Sequence, residues 1–252
     1  MSKTKRVLTR SEKNVIRIMV ITAILSLSAF AWSVYANDYY EATAPARKAM
    51  LGSDAIAVKE KENYYLFSHK TERADKAIVF YPGGKVEETA YAPMLLELAE
   101  QGYEVYLVKM PAKLAIFGMN AAEDIIEEAS HIAEWTMMGH SLGGAMAASF
   151  SAAHDDEIDQ LVLLAAYSTE DLKGKEIEVF SFYGTEDKVL NMEKYEEYRS
   201  NLPEDVVEEA IEGGNHAYYA HYGAQDRDGE ANITREEQVE CVLDVFLSLQ
   251  EG

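Results

Sequence analysis

The sequence predicts an α/β body over residues 52–252, a mostly parallel sheet with helices on both faces, preceded by one N-terminal transmembrane helix. Three observations carry this. Short β-branched and aromatic runs alternate with helical periodicities through the body, and such βαβ alternation packs as a parallel sheet covered on both sides. Gly139-His140-Ser141-Leu142-Gly143 stands between an apolar run and a helix of small residues, the outline of a nucleophile elbow on a strand-to-helix turn. Ile18 to Asn37 is a 20-residue run without a charge, long enough to span a hydrocarbon core.

Residues 1–17 form a polar, basic tail, and acids such as Asp38 and Glu41 follow the apolar run. This asymmetry keeps the N-terminus in the cytoplasm and places the body across the membrane. Trp32 and Tyr35 near the far end suit an interfacial belt. Val34-Tyr35-Ala36 also offers small residues at the spacing of a cleavage site, so a signal peptide cut after Ala36, and hence a secreted body, is the rival reading. The length of the run favours a retained anchor. Residues 38–51 read as a polar, alanine-rich linker.

Beyond it, Ile56–Lys59 and Tyr64–Ser68 predict a β-hairpin, and Ala77–Tyr81 a buried strand. Residues 88–101 have apolar positions at helical spacing, and Tyr103–Lys109 returns to strand. A helix over Ala121–Ser130 leads to a short apolar run and the elbow, with a helix from Gly143. Strands at Gln160–Ala165 and Glu178–Tyr183, a helix at Met192–Ser200, a strand near Val206–Ile211 and a helix at Arg235–Leu249 complete the chain. The connection from Ala165 to Glu176 is too short for a helical cap.

Net charge is −21 over 252 residues, unevenly spread. Residues 1–37 hold Lys3, Lys5, Arg6, Arg10, Lys13 and Arg17 against Glu12, a net +5 that leaves −26 on the remainder. So acidic a body argues against nucleic acid and anionic lipid as surface partners. Cys241 is the single cysteine, so no intramolecular disulfide forms, and its apolar helical setting reads as packing rather than reactivity.

A serine hydroxyl is a weak nucleophile, so it needs a strained turn that exposes it and a base within reach. Gly139 and Gly143 remove the Cβ atoms that would collide across that turn. The bland alternative is a serine that merely caps the helix. In this topology an acid and then a histidine should follow the nucleophile. His69 and His131 precede the elbow, His154 ends its helix, and His140, inside the motif, is expected to shape the pocket. His216, after Glu212-Gly213-Gly214-Asn215, is the favoured base, with His221 as rival. Asp187, in the turn after a strand, is the favoured acid, with Glu186 as rival. An oxyanion hole needs two main-chain N–H groups: Leu142 supplies one, and Gly84 or Lys85 the other from Tyr81-Pro82-Gly83-Gly84-Lys85. Asp226-Arg227-Asp228-Gly229 lacks the ligand run of a calcium loop and reads as a loop without metal.

These pieces resemble a Ser-His-Asp α/β-hydrolase of the compact, lidless branch related to the dienelactone hydrolases. The similarity rests on residues 81–111, GHSLGGAMA at 139–147, YGTEDKV at 183–189 and residues 213–238, and it covers most of 54–250. It implies Ser141 as nucleophile, Asp187 as orienting acid and His216 as general base, with no cofactor. Dienelactone hydrolases carry cysteine where Ser141 stands, so their substrate is not carried over. The loop at 81–85 also lacks the His-Gly start common in lipases, which leaves its donor open. The expected activity is hydrolysis of an ester-like bond in a small molecule through an acyl-enzyme. An acyltransferase with the same triad, or a non-catalytic binding module, are the alternatives.

Overall fold

The computed structural model describes residues 9–249, and the chain divides into two compact units, Met1–Asp38 and Tyr39–Gly252. Positions 1–8 of the expected basic tail lie outside the described residues.

The first unit contains one helix, α1 (Arg10–Asn37). It starts eight residues before the apolar run, because Thr9 and Glu12 form a capping box: Glu12 N donates to Thr9 Oγ1 at 3.2 Å and Thr9 N donates to Glu12 Oε2 at 2.8 Å. The end of the tail is therefore helical. None of the helix is buried, and its apolar side chains are exposed all round. A helix apolar on every face needs a non-aqueous surrounding. It is long and apolar enough to cross a membrane, which fits either an anchor or a signal segment.

The second unit holds an eight-stranded sheet. Its strands are β1 (Ile56–Glu60), β2 (Tyr64–His69), β3 (Lys76–Tyr81), β4 (Glu104–Val108), β5 (Glu134–His140), β6 (Gln160–Leu164), β7 (Glu178–Gly184) and β8 (Val207–Ile211). They lie in the order β1-β2-β4-β3-β5-β6-β7-β8. The β1–β2 and β2–β4 pairs are antiparallel, and all others are parallel. Successive residues of the central strands bury on opposite faces. Ile78, Phe80, Met138, Val162 and Leu164 join one core, whereas Ala77, Val79, Met137, Leu161 and Leu163 join the other. This two-sided burial is why these strands read as continuous apolar runs.

On the first face pack α2 (Ala44–Ala49), α3 (Ala92–Glu100) and α7 (Arg235–Ser248). The second face is covered by α4 (Ala121–Glu128) and α5 (Leu142–Ala153), and α6 (Met192–Tyr198) follows β7. The α2 helix corrects the expected linker. Pro45 starts a short helix whose Ala46 and Ala49, three apart on one face, are buried in the first core. Upstream of it, Tyr40 N donates to Lys85 O at 2.8 Å and Glu87 N to Tyr40 O at 2.9 Å. Residues 39–51 thus belong to the body. Between β6 and β7, residues 165–177 contain no helix.

Candidate active site

The elbow is built from a collision avoided. Strand β5 ends at His140 and α5 starts at Leu142, so Ser141 alone turns the chain, with φ 53° and ψ −122°. A non-glycine residue there is strained by about 1–3 kcal/mol and persists only where its surroundings enforce it. Ser141 N donates to Leu164 O at 2.9 Å, and Ala145 N to Ser141 O at 3.1 Å. A Cβ on Gly143 would stand 2.1 Å from Tyr81 O, and one on Gly139 2.6 Å from the Gly143 carbonyl carbon. Both glycines are therefore required by space. The Ser141 side chain caps no helix N–H, which removes the bland reading of the motif.

Asp187 and His216 meet across the ends of β7 and β8. His216 Nδ1 lies 2.7 Å from Asp187 Oδ2, with both side chains buried. The other carboxylate oxygen, Oδ1, accepts Val189 N and Leu190 N, each at 2.8 Å. A carboxylate only accepts, so Nδ1 carries a hydrogen, and in the uncharged form of the ring the Nε2 lone pair is left for another group. His216 and Ser141 line one cavity of about 360 Å³. Of the rivals, Glu186 ties its main-chain N–H to Gly214 O, and His221 ties its own to Ala90 O. His221 is outside the cavity lining, and burial, then the charge of Arg235, lowers its pKa.

The main-chain donors of residues 83–85 differ in what they already bond. Lys85 N is committed to Lys113 O at 2.8 Å, and Gly83 N to Tyr91 Oη at 2.9 Å. Gly84 N is left without an acceptor among the described residues. A Cβ on Gly84 would lie 3.2 Å from Leu142 Cδ2, so this loop rests on the first residue of α5. Leu142 N is in turn one of the N–H groups that a helix start leaves without an intrahelical acceptor.

Three residues to which the sequence assigned no part in the site brace the loops around His216 and Gly83. Asp228, weighed only as a calcium ligand, accepts Ala217 N at 2.9 Å, Gly229 N at 2.8 Å and His216 N at 3.3 Å. Buried Gln238 pairs with both main-chain groups of Asn215, at 2.9 and 2.8 Å. Tyr91 lies behind the oxyanion loop. Only a turn-forming Asp-Gly pair and a residue spacing mark them in the sequence. His140 is buried behind the elbow rather than in the cavity wall, with its ring centroid 4.6 Å from that of His216.

The cavity wall is apolar through Ala145, Met146, Ala166, Val189 and Leu190, with Tyr167, Thr169 and Asn191 as polar points. No Lys or Arg among the described residues lines it. No group of three or more His, Cys, Asp or Glu among the described residues is placed to hold a metal ion. Cys241 is partly buried, and burial pushes its thiol up, away from reactivity.

A family profile described as "Alpha/beta hydrolase family" matches residues 77–240. No curated protein matches the chain in sequence. Among solved structures, a predicted CIB-like hydrolase from Thermoplasma acidophilum is 19% identical with a TM-score of 0.59, over 76% of this chain and 98% of that one. A thermophilic esterase from Thermogutta terrifontis, Est2, is 13% identical with a TM-score of 0.53, over 78% and 93%. Mouse alpha/beta hydrolase domain-containing protein 10 is 10% identical with a TM-score of 0.57, over 78% and 98%. At these identities the likeness is one of fold.

Proposed function

The chain belongs to the alpha/beta hydrolase family, and from that premise we propose that it is a serine hydrolase cleaving an ester-like bond of a small substrate through an acyl-enzyme on Ser141. The observation that carries this is the buried 2.7 Å bond from His216 Nδ1 to Asp187 Oδ2, beside a serine strained into the same cavity. Ser141 Oγ attacks the substrate carbonyl carbon as His216 Nε2 takes its proton, and Asp187 stabilises the imidazolium. The N–H groups of Leu142 and Gly84 receive the developing oxyanion. Collapse of the tetrahedral intermediate expels the alcohol, which leaves with the proton from His216. Water then attacks the acyl-enzyme by the same relay, and the acid is released with Ser141 restored.

The uncharged, largely apolar wall supports a neutral acyl group, since a carboxylate there would be desolvated without a cation to pair it. The absence of a helix in residues 165–177 supports a site without a lid. We read α1 as a retained anchor with the body outside the cytoplasm.

A fluorophosphonate probe tests the activity directly. It should add to Ser141 of the wild-type chain, located by peptide mass, and leave Ser141→Ala unlabelled and without esterase turnover. Labelling of Ser141→Ala, or turnover kept by it, overturns the assignment. If labelled Ser141 turns over esters only when a second alcohol is added, the enzyme is an acyltransferase.

A further inference from the structure

Behind the elbow, three hydrogen bonds join the oxyanion loop to the main chain of the base. Gly83 N donates to Tyr91 Oη at 2.9 Å, Tyr91 Oη lies 2.8 Å from His140 Nδ1, and His140 Nε2 lies 3.0 Å from His216 O. Tyr91, His140 and His216 are each at most 1% exposed. The contact with the loop is close: a Cβ on Gly83 would stand 2.7 Å from His140 Nδ1 and 2.8 Å from Tyr91 Oη.

The direction of the chain is fixed from its ends. A carbonyl only accepts, so His140 Nε2 carries a hydrogen. Burial, then the second imidazole of His216 beside it, holds His140 well below the usual histidine range, and burial raises the Tyr91 hydroxyl well above its ordinary value. Both are therefore neutral. Nδ1 of His140 is then bare and accepts from Tyr91, whose oxygen in turn accepts from Gly83. Each group has one role, and no member can reverse without breaking the bond at the carbonyl.

We propose that Tyr91 and His140 act as one positioning pair, a directional hydrogen-bond brace that fixes the Gly83-Gly84 oxyanion loop relative to the main chain of His216. The inference rests on the reading of Ser141, His216 and Gly84 given above. The brace touches no substrate. It sets the separation between the loop that receives the oxyanion and the loop that moves the proton, and a small misplacement of such groups is costly in rate. A neutral His140 also keeps a second cation away from His216 at the moment the base becomes an imidazolium.

The test compares Tyr91→Phe, His140→Leu and His140→Gln on a soluble p-nitrophenyl ester. The glutamine amide retains an acceptor for Tyr91 and a donor for the His216 carbonyl, whereas leucine retains neither. Losing an oxyanion donor costs about 10²–10³ in kcat, and misplacing one should cost less. Tyr91→Phe and His140→Leu should lose about 10- to 100-fold in kcat with KM within about threefold. Affinity for a trifluoromethyl ketone, bound as its tetrahedral adduct, should fall in parallel. His140→Gln should recover most of the loss. The double variant Tyr91→Phe/His140→Leu should be no worse than its weaker parent, because both remove one brace. Wild-type kcat in Tyr91→Phe, or a His140→Gln no better than His140→Leu, overturns the proposal. A variant-free arm covers the case in which these chains do not fold: long-range proton–nitrogen NMR of the intact wild-type protein should find His140 neutral with the proton on Nε2. A proton on Nδ1 also overturns it. Ser141→Ala separates the two readings, since activity surviving there removes the triad itself, whereas a dead Ser141→Ala beside an unaffected Tyr91→Phe removes only the brace.

Discussion

Asp228 accepts the main-chain N–H of His216 at 3.3 Å, so this histidine, the proposed base, is held by its backbone as well as by Asp187 at its ring. The same carboxylate accepts Ala217 N and Gly229 N, and Lys188 N from the loop of the orienting acid at 3.4 Å. One side chain therefore ties the acid loop to the base loop. Asp228→Ala should lower kcat at least tenfold and destabilise the fold by about 1–3 kcal/mol, the cost of leaving such donors unpaired. Asp228→Asn keeps one acceptor oxygen and should fall between. Kinetics and urea midpoints on the three proteins measure both effects, and an Asp228→Ala chain with wild-type kcat would show the loop is held without it.

The choice of base gives a sharper contrast. His216→Ala should lose several powers of ten in turnover, roughly the cost of removing a member of such a triad. His221→Ala should keep most activity, because its imidazole lies outside the cavity and its backbone, which the substitution leaves alone, makes its bonds to Ala90 and Thr43. The reverse result would move the base.

How much of this was legible follows from where each signal lives. Ser141, Asp187 and His216 could be ordered from the sequence because each ends or follows a strand with its own local pattern, and the fold brings those ends to one edge. The proposed oxyanion donor could not, since Gly84 and Lys85 are adjacent N–H groups and differ in that a distant carbonyl, Lys113 O, takes one of them. Tyr91 and Asp228 accept from main-chain N–H groups of neighbouring loops, which nearly every residue has and no pattern marks. The α2 helix was missed for another reason. Six residues with two buried alanines carry too little periodicity to stand out from a polar linker.

His140 also predicts a pH dependence of stability. Burial lowers its folded pKa well below 6.5, so below about pH 6.5 the unfolded chain binds a proton that the native chain does not. Stability from this group is therefore full above pH 6.5 and is lost as pH falls, by up to about 1.4 kcal/mol per pH unit. Urea midpoints between pH 7.5 and about 5.5 should fall more steeply for wild type than for His140→Gln. Equal slopes would mean that His140 is charged in the native state. The comparison cancels the carboxylates that both chains share.

The topology reading is tested on intact cells. If α1 is retained with its basic flank in the cytoplasm, added protease should remove the body, and the membrane-bound protein should keep residues 1–36 by mass spectrometry. A mature chain beginning at Asn37 would make α1 a signal segment. Full protection from protease would reverse the orientation.

Substrate length tests the shape of the site. The cavity has a volume of only about 360 Å³, and residues 165–177 supply no helix to close over it. A long acyl chain would therefore leave most of its methylenes in water, and each one left out forgoes about 0.8 kcal/mol of burial. Turnover of p-nitrophenyl esters should peak at short acyl groups and fall as the chain outgrows the pocket. Without a lid to displace, the rate should also pass smoothly through each ester's solubility limit, with no jump when aggregates form. Rates measured across that limit for a series of acyl lengths decide the matter. A preference for long chains with a jump at the limit would mean that a surface outside the present wall, the bilayer or the Tyr-rich stretch 218–222, completes the pocket when substrate binds.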